Sequence, residues 1–285
     1  MPELPEVETV RRGLADRLVG RRIVDVELGR DRAFRRVGPD RLRSGLLGRT
    51  VTAAERRGKY LLFPLDSNDT LMVHLRMSGQ LLVSDGVTPR PPHTHVVLRL
   101  GSDDSSVSSS TEIRFVDPRT FGEVVVFAPD EFDTVVPELS RLGPDPLIDG
   151  VDPVGLRRSL SSTRRPLKAA LLDQRIVAGI GNIYGDEILH RARLSPLRRS
   201  DRVNRTQLAR LTESIVDVLT EAVRAGGSTL RDAQYVDADG RAGRFQERHL
   251  VYARTGSDCA TCGRGRIRSA VIGGRTSHWC GVCQR

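Results

Sequence analysis

The chain has 285 residues and a formal net charge of +9, and its length is enough for two domains that each bury a core. The positive charge favours a polyanionic partner, nucleic acid before a membrane surface, although many basic proteins bind no DNA. The sequence contains neither an N-terminal apolar signal segment nor a run of about 18 apolar residues. These features predict a soluble cytoplasmic protein that does not span a membrane.

Arginine supplies almost all of the positive charge. Of the 45 basic residues 43 are arginine, and lysine occurs only at Lys59 and Lys168. A GC-rich genome would explain this excess, because its codons favour arginine over lysine wherever any cationic side chain suffices. The two lysines are therefore candidate positions for a compact ammonium group that can lose its proton.

The N-terminal stretch predicts a helix, because Pro5, Glu6 and Glu8 suit a first turn. The helix has an apolar stripe and ends near Gly20; the stripe consists of Val7, Val10, Leu14 and Leu18. Removal of Met1 would expose the nitrogen of Pro2, a secondary amine that yields a cationic iminium when it attacks a sugar C1′. Glu3 could transfer protons at the same centre. On spacing alone, an ordinary capped amphipathic helix is the commoner interpretation.

The sequence of residues 22–128 predicts β-structure. The predicted strands are short, rich in β-branched residues and separated by Gly, Pro or Asp; they are 23–28, 59–65, 70–75, 94–100 and 123–127. With the first helix they predict a two-layer antiparallel β-sandwich with a flanking helix. The polar stretch 101–111 predicts a mobile hairpin loop without an assigned function.

The second half predicts helices over 154–160, 166–174, 182–192 and 206–225, where apolar residues recur at helical spacing. Gly179 and Gly181 let backbone N–H groups approach an anion before Asn182, a residue suited to cap a helix, although most such runs are simple turns. We predict an α+β chain with a β-sandwich domain over 1–133 and a linker over 134–150. A helical domain over 151–250 and a zinc finger over 251–285 follow.

All four cysteines lie near the C-terminus in two CxxC pairs separated by 17 residues; they are Cys259, Cys262, Cys280 and Cys283. This spacing is typical of a tetrahedral zinc site with four cysteine ligands, and with no open coordination position the ion would be structural. Disulfides are the alternative, which the absence of a secretory signal disfavours. The residues between the pairs predict a hairpin that turns at Gly273 and Gly274, next to Arg275.

The first nine residues, MPELPEVET, resemble the N-terminal signature of the bacterial formamidopyrimidine-DNA glycosylases, and the similarity covers nearly the whole chain. That family excises oxidised purines such as 8-oxoguanine and formamidopyrimidines, then cuts the strand by β- and δ-elimination. The resemblance implies a Schiff base on Pro2, with Glu3 moving protons. It also implies double-stranded DNA with an oxidised base or an abasic site as partner, and we expect a monomer.

The resemblance implies roles for further residues. Lys59 would bind the phosphate beside the lesion and assist elimination, while His74, Asn182 and Arg275 would hold phosphates. Met77 and Phe121 would wedge into the base stack, Arg119 would pair with the orphaned base, and His93 would contact DNA. Lys168 would face the lesion pocket, and the loop 228–244 would close over the extruded purine. Arg164, beside Arg165, is either a phosphate contact or part of a solvated charge run.

Two alternatives stay open. The endonuclease VIII branch of the same superfamily prefers oxidised pyrimidines; Leu4 and the separated Arg119 and Phe121 favour the purine branch. A non-catalytic, zinc-bearing protein that recognises abasic or bent DNA would share the binding residues, and only Pro2 and Glu3 argue against it.

Overall fold

The computed structural model describes residues 1–101, 111–230 and 234–285. Most of the loop predicted over 101–111, and residues 231–233 of the segment 228–244, lie outside the described residues. The chain divides into two compact units. The first unit contains Met1–Ser140 and Ala225–Arg244, and the second contains Arg141–Arg224 and Phe245–Arg285.

The first unit begins with helix α1, Leu4–Leu18, which confirms the predicted N-terminal helix. Its predicted stripe is buried: Val7, Val10, Leu14 and Leu18 each expose 1% or less. These side chains belong to one apolar core with residues of both β-sheets. The helix ends at Leu18, and Gly20 shortly after it has a φ of +77°, which suits a residue without a Cβ.

Two four-stranded antiparallel sheets follow α1. Strands and helices of this unit, in chain order, are β1 Arg22–Leu28, α2 Gly38–Leu46, β2 Glu55–Arg57, β3 Tyr60–Pro64, β4 Thr70–His74, β5 Gln80–Ser84, β6 Thr94–Gly101, β7 Thr111–Val116, β8 Glu123–Phe127, α3 Phe132–Val135 and α4 Pro137–Ser140. One sheet has the order β1-β6-β7-β5 and the other β2-β3-β4-β8. The predicted antiparallel sandwich with a flanking helix is therefore confirmed.

Six elements of this unit were not predicted, and they include the one-turn helices α3 and α4. Strands β2, β5 and β7 are short or lie beside polar turns, so their alternation is weak. Helix α2 lies inside the stretch assigned to β-structure, although a proline in its first turn and the pair Leu42 and Leu46 are helical signals. Gly45 of α2 packs closely against Val126 of β8. A Cβ added at Gly45 would lie only 2.9 Å from the Val126 side chain.

The second unit is helical and ends in a hairpin. Its elements are α5 Pro153–Ser161, α6 Leu167–Leu171, α7 Asn182–Arg191, α8 Arg205–Arg224, β9 Ile267–Ile272 and β10 Arg275–Cys280. All four predicted helices are present, with α6 shorter than expected. The antiparallel pair β9–β10 confirms the predicted hairpin. Among the described residues no helix is long and apolar enough to cross a membrane.

Candidate functional site

Pro2 and Glu3 are buried at the N-terminal end of α1. Glu3 is the residue that precedes the helix, and its backbone N–H donates to Glu6 Oε2 over 2.8 Å. The carbonyl of Glu3 accepts from the N–H of Val7 over 3.0 Å. Because both backbone groups of Glu3 are bonded, the position of Pro2 relative to the helix is fixed by the first turn.

Glu6 has a second partner that the sequence did not reveal. Its Oε1 accepts from the backbone N–H of Ser228 over 2.7 Å, and Gly227 next to it has a φ of +77°. The Tyr235 hydroxyl donates to the carbonyl of Gly226 over 3.0 Å, and burial, with the charge of Glu6, raises the pKa of Tyr235. One carboxylate therefore joins the start of α1 to the segment that follows Ala225.

Lys59 lies in the tight turn between β2 and β3, after Gly58, and is buried. Arg56 donates to the carbonyl of Gly58 over 3.0 Å and to Glu8 over 3.1 Å. Burial would raise the pKa of Glu8, but hydrogen bonds from Arg11, Arg12 and Arg56 outweigh it and lower that pKa to about 2. The Glu8 carboxylate on α1 is therefore ionised near neutral pH, and it binds Arg56, which in turn hydrogen-bonds the turn that carries Lys59.

His74 is buried at the end of β4, and its Nδ1 accepts from the backbone N–H of Arg76 over 2.9 Å. Burial, together with the charges of Arg76 and Lys59, lowers the pKa of His74 well below its usual value. The imidazole is therefore neutral near neutral pH. Since Nδ1 is an acceptor, the proton lies on Nε2, which is the tautomer that can donate to an anion.

Glu123, at the start of β8, is a buried carboxylate that gathers three arginines beside His74. Arg36 and Arg76 each lie 3.0 Å from its Oε2, and Arg35 pairs with its Oε1. The Arg35 and Arg76 side chains are about 45% and 37% exposed. Glu123 thus positions the exposed guanidinium groups of Arg35 and Arg76. No sequence motif predicted this role.

Met77 and Phe121 are large apolar side chains in solvent, 37% and 39% exposed. The Arg119 guanidinium lies over the Phe121 ring, 5.2 Å from its centroid, and Arg32 lies 5.6 Å from it. The resemblance predicts that Met77 and Phe121 wedge into the base stack and that Arg119 pairs with the orphaned base; the first unit exposes all three side chains to solvent.

The fully buried Asp117 connects the loops that carry these side chains. Its carboxylate accepts from the Ser78 hydroxyl, next to Met77, and from the Gly122 N–H over 2.7 Å, next to Phe121. The N–H of Asp117 donates to the carbonyl of His93 over 3.0 Å. His93 itself is exposed with a φ of +65°. A single buried acid therefore fixes the relative positions of the loops.

In the second unit, Asn182 and Arg275 lie close together. Asn182 is the first residue of α7, after Gly181 at the cap position, so the predicted cap is displaced by one residue. Its Nδ2 donates to the carbonyl of Thr276 over 2.9 Å, directly after the exposed Arg275. Arg164 is also exposed. Helix α7 and the hairpin thus bring two predicted phosphate ligands to one place.

Lys168, which the resemblance predicts to face the lesion pocket, has an acidic partner in this structure. Its side chain has 0% exposure and pairs with the equally buried Asp186, and Nζ also donates to the carbonyl of Asn182 over 2.8 Å. Asp186 Oδ2 accepts from both the N–H and Nδ1 of His278 on β10, each over 2.9 Å. In this structure Lys168 therefore links α6, α7 and the hairpin.

The four cysteines form one cluster whose sulfur atoms all lie within 4.8 Å of one another. Cys259 and Cys283 have sulfur atoms 3.5 Å apart, Cys262 and Cys280 3.8 Å apart, and all four are free. Tetrahedral zinc–thiolate bonds of about 2.3 Å require sulfur separations of roughly 3.8 Å. The cluster therefore fits one tetrahedral metal ion.

Comparison with known proteins supports one family throughout. A family model described as the formamidopyrimidine-DNA glycosylase N-terminal domain matches residues 1–124. A second, described as the H2TH domain of the same glycosylase, matches residues 142–234. The formamidopyrimidine-DNA glycosylase of Geobacillus kaustophilus is 43% identical over 286 residues, with 100% of both chains covered. That of Parasynechococcus marenigrum is 44% identical over 287 residues, with the same coverage.

Solved structures agree. The MutM (Fpg) protein from Thermus thermophilus is 40% identical with a TM-score of 0.86, covering 99% of this chain and 98% of that one. The Lactococcus lactis Fpg in a complex with DNA containing an abasic site is 34% identical with a TM-score of 0.88, and 99% of each chain is covered. Fold and site thus define an α+β protein with a sandwich, a helix–two-turns–helix region and a hairpin that bears four cysteines. The chain belongs to the formamidopyrimidine-DNA glycosylase family.

Proposed function

We propose that the protein is a bifunctional DNA glycosylase and AP lyase of base excision repair that removes oxidised purines. The observation that carries this proposal is the first turn of α1. Pro2 and Glu3 are buried there, and Glu6 bonds both Glu3 and Ser228. A nucleophile needs such a fixed position to reach the sugar of an extruded nucleotide.

The proposed chemistry uses the Pro2 nitrogen after removal of Met1. This secondary amine attacks C1′ of the damaged nucleotide, the bond from C1′ to the base breaks, and the base leaves with a proton. Ring opening gives an iminium, a Schiff base in which the electron-poor C1′ acidifies the neighbouring carbon. Glu3 transfers protons at the sugar, and successive β- and δ-elimination release the two phosphates.

Base extrusion would be stabilised by the exposed trio of Met77, Arg119 and Phe121. Unstacking and unpairing a base costs a few kcal/mol, which is offset when apolar side chains fill the vacated space and a donor meets the orphaned base. Asp117 supports this role, because it fixes both loops to each other. A MutM protein of 34% identity has been solved with carbocyclic 8-oxo-G containing DNA, in line with an oxidised purine as the substrate.

Phosphate binding would be shared by side chains of each unit. In the first unit Lys59 and the neutral His74, through Nε2, are the proposed ligands, beside the arginines that Glu123 holds. In the second unit Asn182 and Arg275 act together, because the contact between Asn182 and Thr276 joins helix and hairpin. Each lost phosphate contact should lower the salt dependence of DNA binding.

The metal is proposed to be one structural Zn2+ held by the four cysteines. All four coordination positions are taken by protein ligands, so the ion supplies folding free energy to the hairpin and takes no part in the chemistry. Its function is therefore to hold Arg275 on β10.

The test measures base release and strand scission on duplexes that contain 8-oxoguanine opposite cytosine or thymine glycol. We expect faster processing of the 8-oxoguanine duplex; the reverse order would assign the chain to the endonuclease VIII branch. Phe121→Ala should slow excision by roughly tenfold or more, as loss of a few kcal/mol of wedge stabilisation implies. Val87→Ala is the matched control, because Val87 is an apolar side chain of the same unit with 87% exposure.

A further inference from the structure

A cavity of about 550 Å³ lies in the second unit at the end of the hairpin that carries the cysteines. Five arginines line it: Arg193, Arg198, Arg210, Arg264 and Arg285. Cys262 and Cys283 form part of its wall. The volume is within the range of small-molecule sites, and no acidic side chain is among the lining residues.

The positive charge of this cavity is not balanced by acidic side chains. Elsewhere in the same unit Arg191 pairs with Glu221 and Arg199 with Asp201. Within residues 1–101, 111–230 and 234–285, no ion pair joins a carboxylate to any of the five cavity arginines; the pairs that are present involve other residues. Like charges that converge on one concave surface repel each other and focus a positive potential in it.

Arg198 adds an independent sign of an absent acceptor. Its Nε is buried and has no hydrogen-bond partner among the described residues, while a terminal nitrogen donates to the carbonyl of Arg202 over 3.3 Å. A buried donor without an acceptor costs free energy. The wall of the cavity therefore contains an unsatisfied donor in addition to unpaired charge.

The proposed zinc site does not account for this charge. One Zn2+ with four thiolates carries a net charge of −2, and the cysteines lie against the cavity. Even without Arg285, the other four arginines carry a charge of +4, which leaves a surplus of +2 after the zinc–thiolate group is counted. The cavity is also remote from Arg275, because Cys280 is five residues further along β10, roughly 17 Å at the rise of a strand.

We propose that this cavity is a binding site for a small polyphosphate anion, such as a free triphosphate or the phosphate chain of a nucleotide. Arginine forks match phosphate oxygens in bidentate geometry, and several forks around one cavity suit linked phosphates better than a single carboxylate. The site goes beyond the proposed repair chemistry and uses none of its residues. It gives the chain a second, separate anion site at the cysteine end of the hairpin.

The test is calorimetric titration of sodium tripolyphosphate into the zinc-loaded full chain already saturated with a duplex that contains an abasic-site analogue. The duplex occupies the DNA-binding residues, so that triphosphate cannot use them. We expect saturable binding of one triphosphate per chain at about 0.15 M salt. Zinc content is measured before and after, because polyphosphate itself binds metal ions.

Two double variants locate the site. Arg210→Gln with Arg264→Gln, and Arg193→Gln with Arg210→Gln, should each weaken binding by about tenfold or more. The second pair leaves the cysteine-containing turns untouched. Arg191→Gln with Arg199→Gln is the matched control, because it removes the same charge from arginines that already pair with acids, and it should bind triphosphate like the parent protein.

Three results would overturn the proposal. These are absence of saturable binding, equal weakening in the control pair, and binding that occurs only when the duplex is left out. The last result would mean that triphosphate competes with the DNA backbone for the same arginines.

Discussion

The carboxylate of Glu6 accepts a hydrogen bond from the backbone N–H of Ser228 over 2.7 Å, although the two residues are 222 positions apart. The other oxygen of Glu6 accepts from the N–H of Glu3. The segment after α8 therefore contacts the first turn of α1 through the same side chain that orders Glu3. Changes in this segment should consequently alter the chemistry proposed for Pro2.

Gly227 and Gly240 provide a matched pair that tests this connection. Both have left-handed φ angles, +77° and +80°, but an added Cβ at Gly227 would lie 2.7 Å from Glu6 Oε1, whereas at Gly240 it meets nothing within 4 Å. Gly240→Ala should cost only the strain of that φ, about 1–2 kcal/mol. Gly227→Ala should cost a further 1–3 kcal/mol or so, because it displaces the Glu6 carboxylate.

Urea unfolding and single-turnover excision measure the two effects. We expect Gly227→Ala alone to slow base release. Equal losses of stability and unchanged excision in both variants would show that the contact between Glu6 and Ser228 has no bearing on the reaction.

The buried pair of Lys168 and Asp186 should be far more important for stability than the exposed pairs. Asp186→Asn leaves an ammonium group buried without its counter-charge and weakens the bonds to His278, so we expect a loss of about 3–5 kcal/mol. Asp201→Asn removes an acid from the more exposed pair with Arg199, where solvent screens the charges, and should change stability little. Chemical denaturation of both variants is the measurement, and similar losses would contradict the structural role given to Lys168.

Metal removal should affect DNA binding through the hairpin. Atomic absorption of the purified chain is expected to give one zinc per molecule, and Cys259→Ser should abolish stoichiometric zinc. Without the ion the hairpin loses the folding free energy of metal binding, so affinity for an abasic duplex should fall while the far-ultraviolet signal of the first unit persists. A metal-free chain with unchanged DNA affinity would show that Arg275 does not need the four-cysteine site.

Acid sensitivity should depend on Glu8. Its pKa is about 2 in the folded chain against an ordinary value of 4.5, so its stabilising contribution is complete above pH 4.5 and disappears as the pH falls towards 2. Because solvent partly screens this carboxylate, the contribution should be well below the roughly 3.4 kcal/mol that linkage alone would give. Glu8→Gln should flatten the stability profile in this window, whereas the exposed Glu55→Gln should leave it unchanged. A profile of Glu8→Gln that still falls steeply between these pH values would assign the acid sensitivity to other groups.

Local patterns in the sequence predicted most of the fold. The apolar stripe of α1 and the β-branched strands are repeated signals, and the cysteine spacing is specific on its own. Helix α2 was missed because its nine residues hold only two leucines at helical spacing within a β-rich stretch. Short elements of this kind are decided by packing, here by the close approach of Gly45 to Val126.

The site was predictable only where chemistry and motif coincide. Exposure of Met77, Arg119 and Phe121 agrees with the predicted extrusion role, whereas Lys168 is buried in its pair with Asp186. No sequence pattern distinguishes a lysine at a lesion from one that pairs with Asp186, since the partners meet only in the fold. Glu6, Asp117 and Glu123 were overlooked for the same reason, because each acts through residues distant in the chain.

Borohydride trapping tests the central claim most directly. A sample whose first residue is shown by intact mass to be Pro2 is incubated with an 8-oxoguanine duplex and reductant, and the adduct is digested and sequenced. The account predicts a covalent complex of protein and DNA joined through the Pro2 nitrogen. It predicts no link through that nitrogen in a sample that retains Met1, because the Pro2 nitrogen is then an amide. Absence of a cross-link in the processed sample, or strand scission at the same rate by a sample that retains Met1, would contradict it.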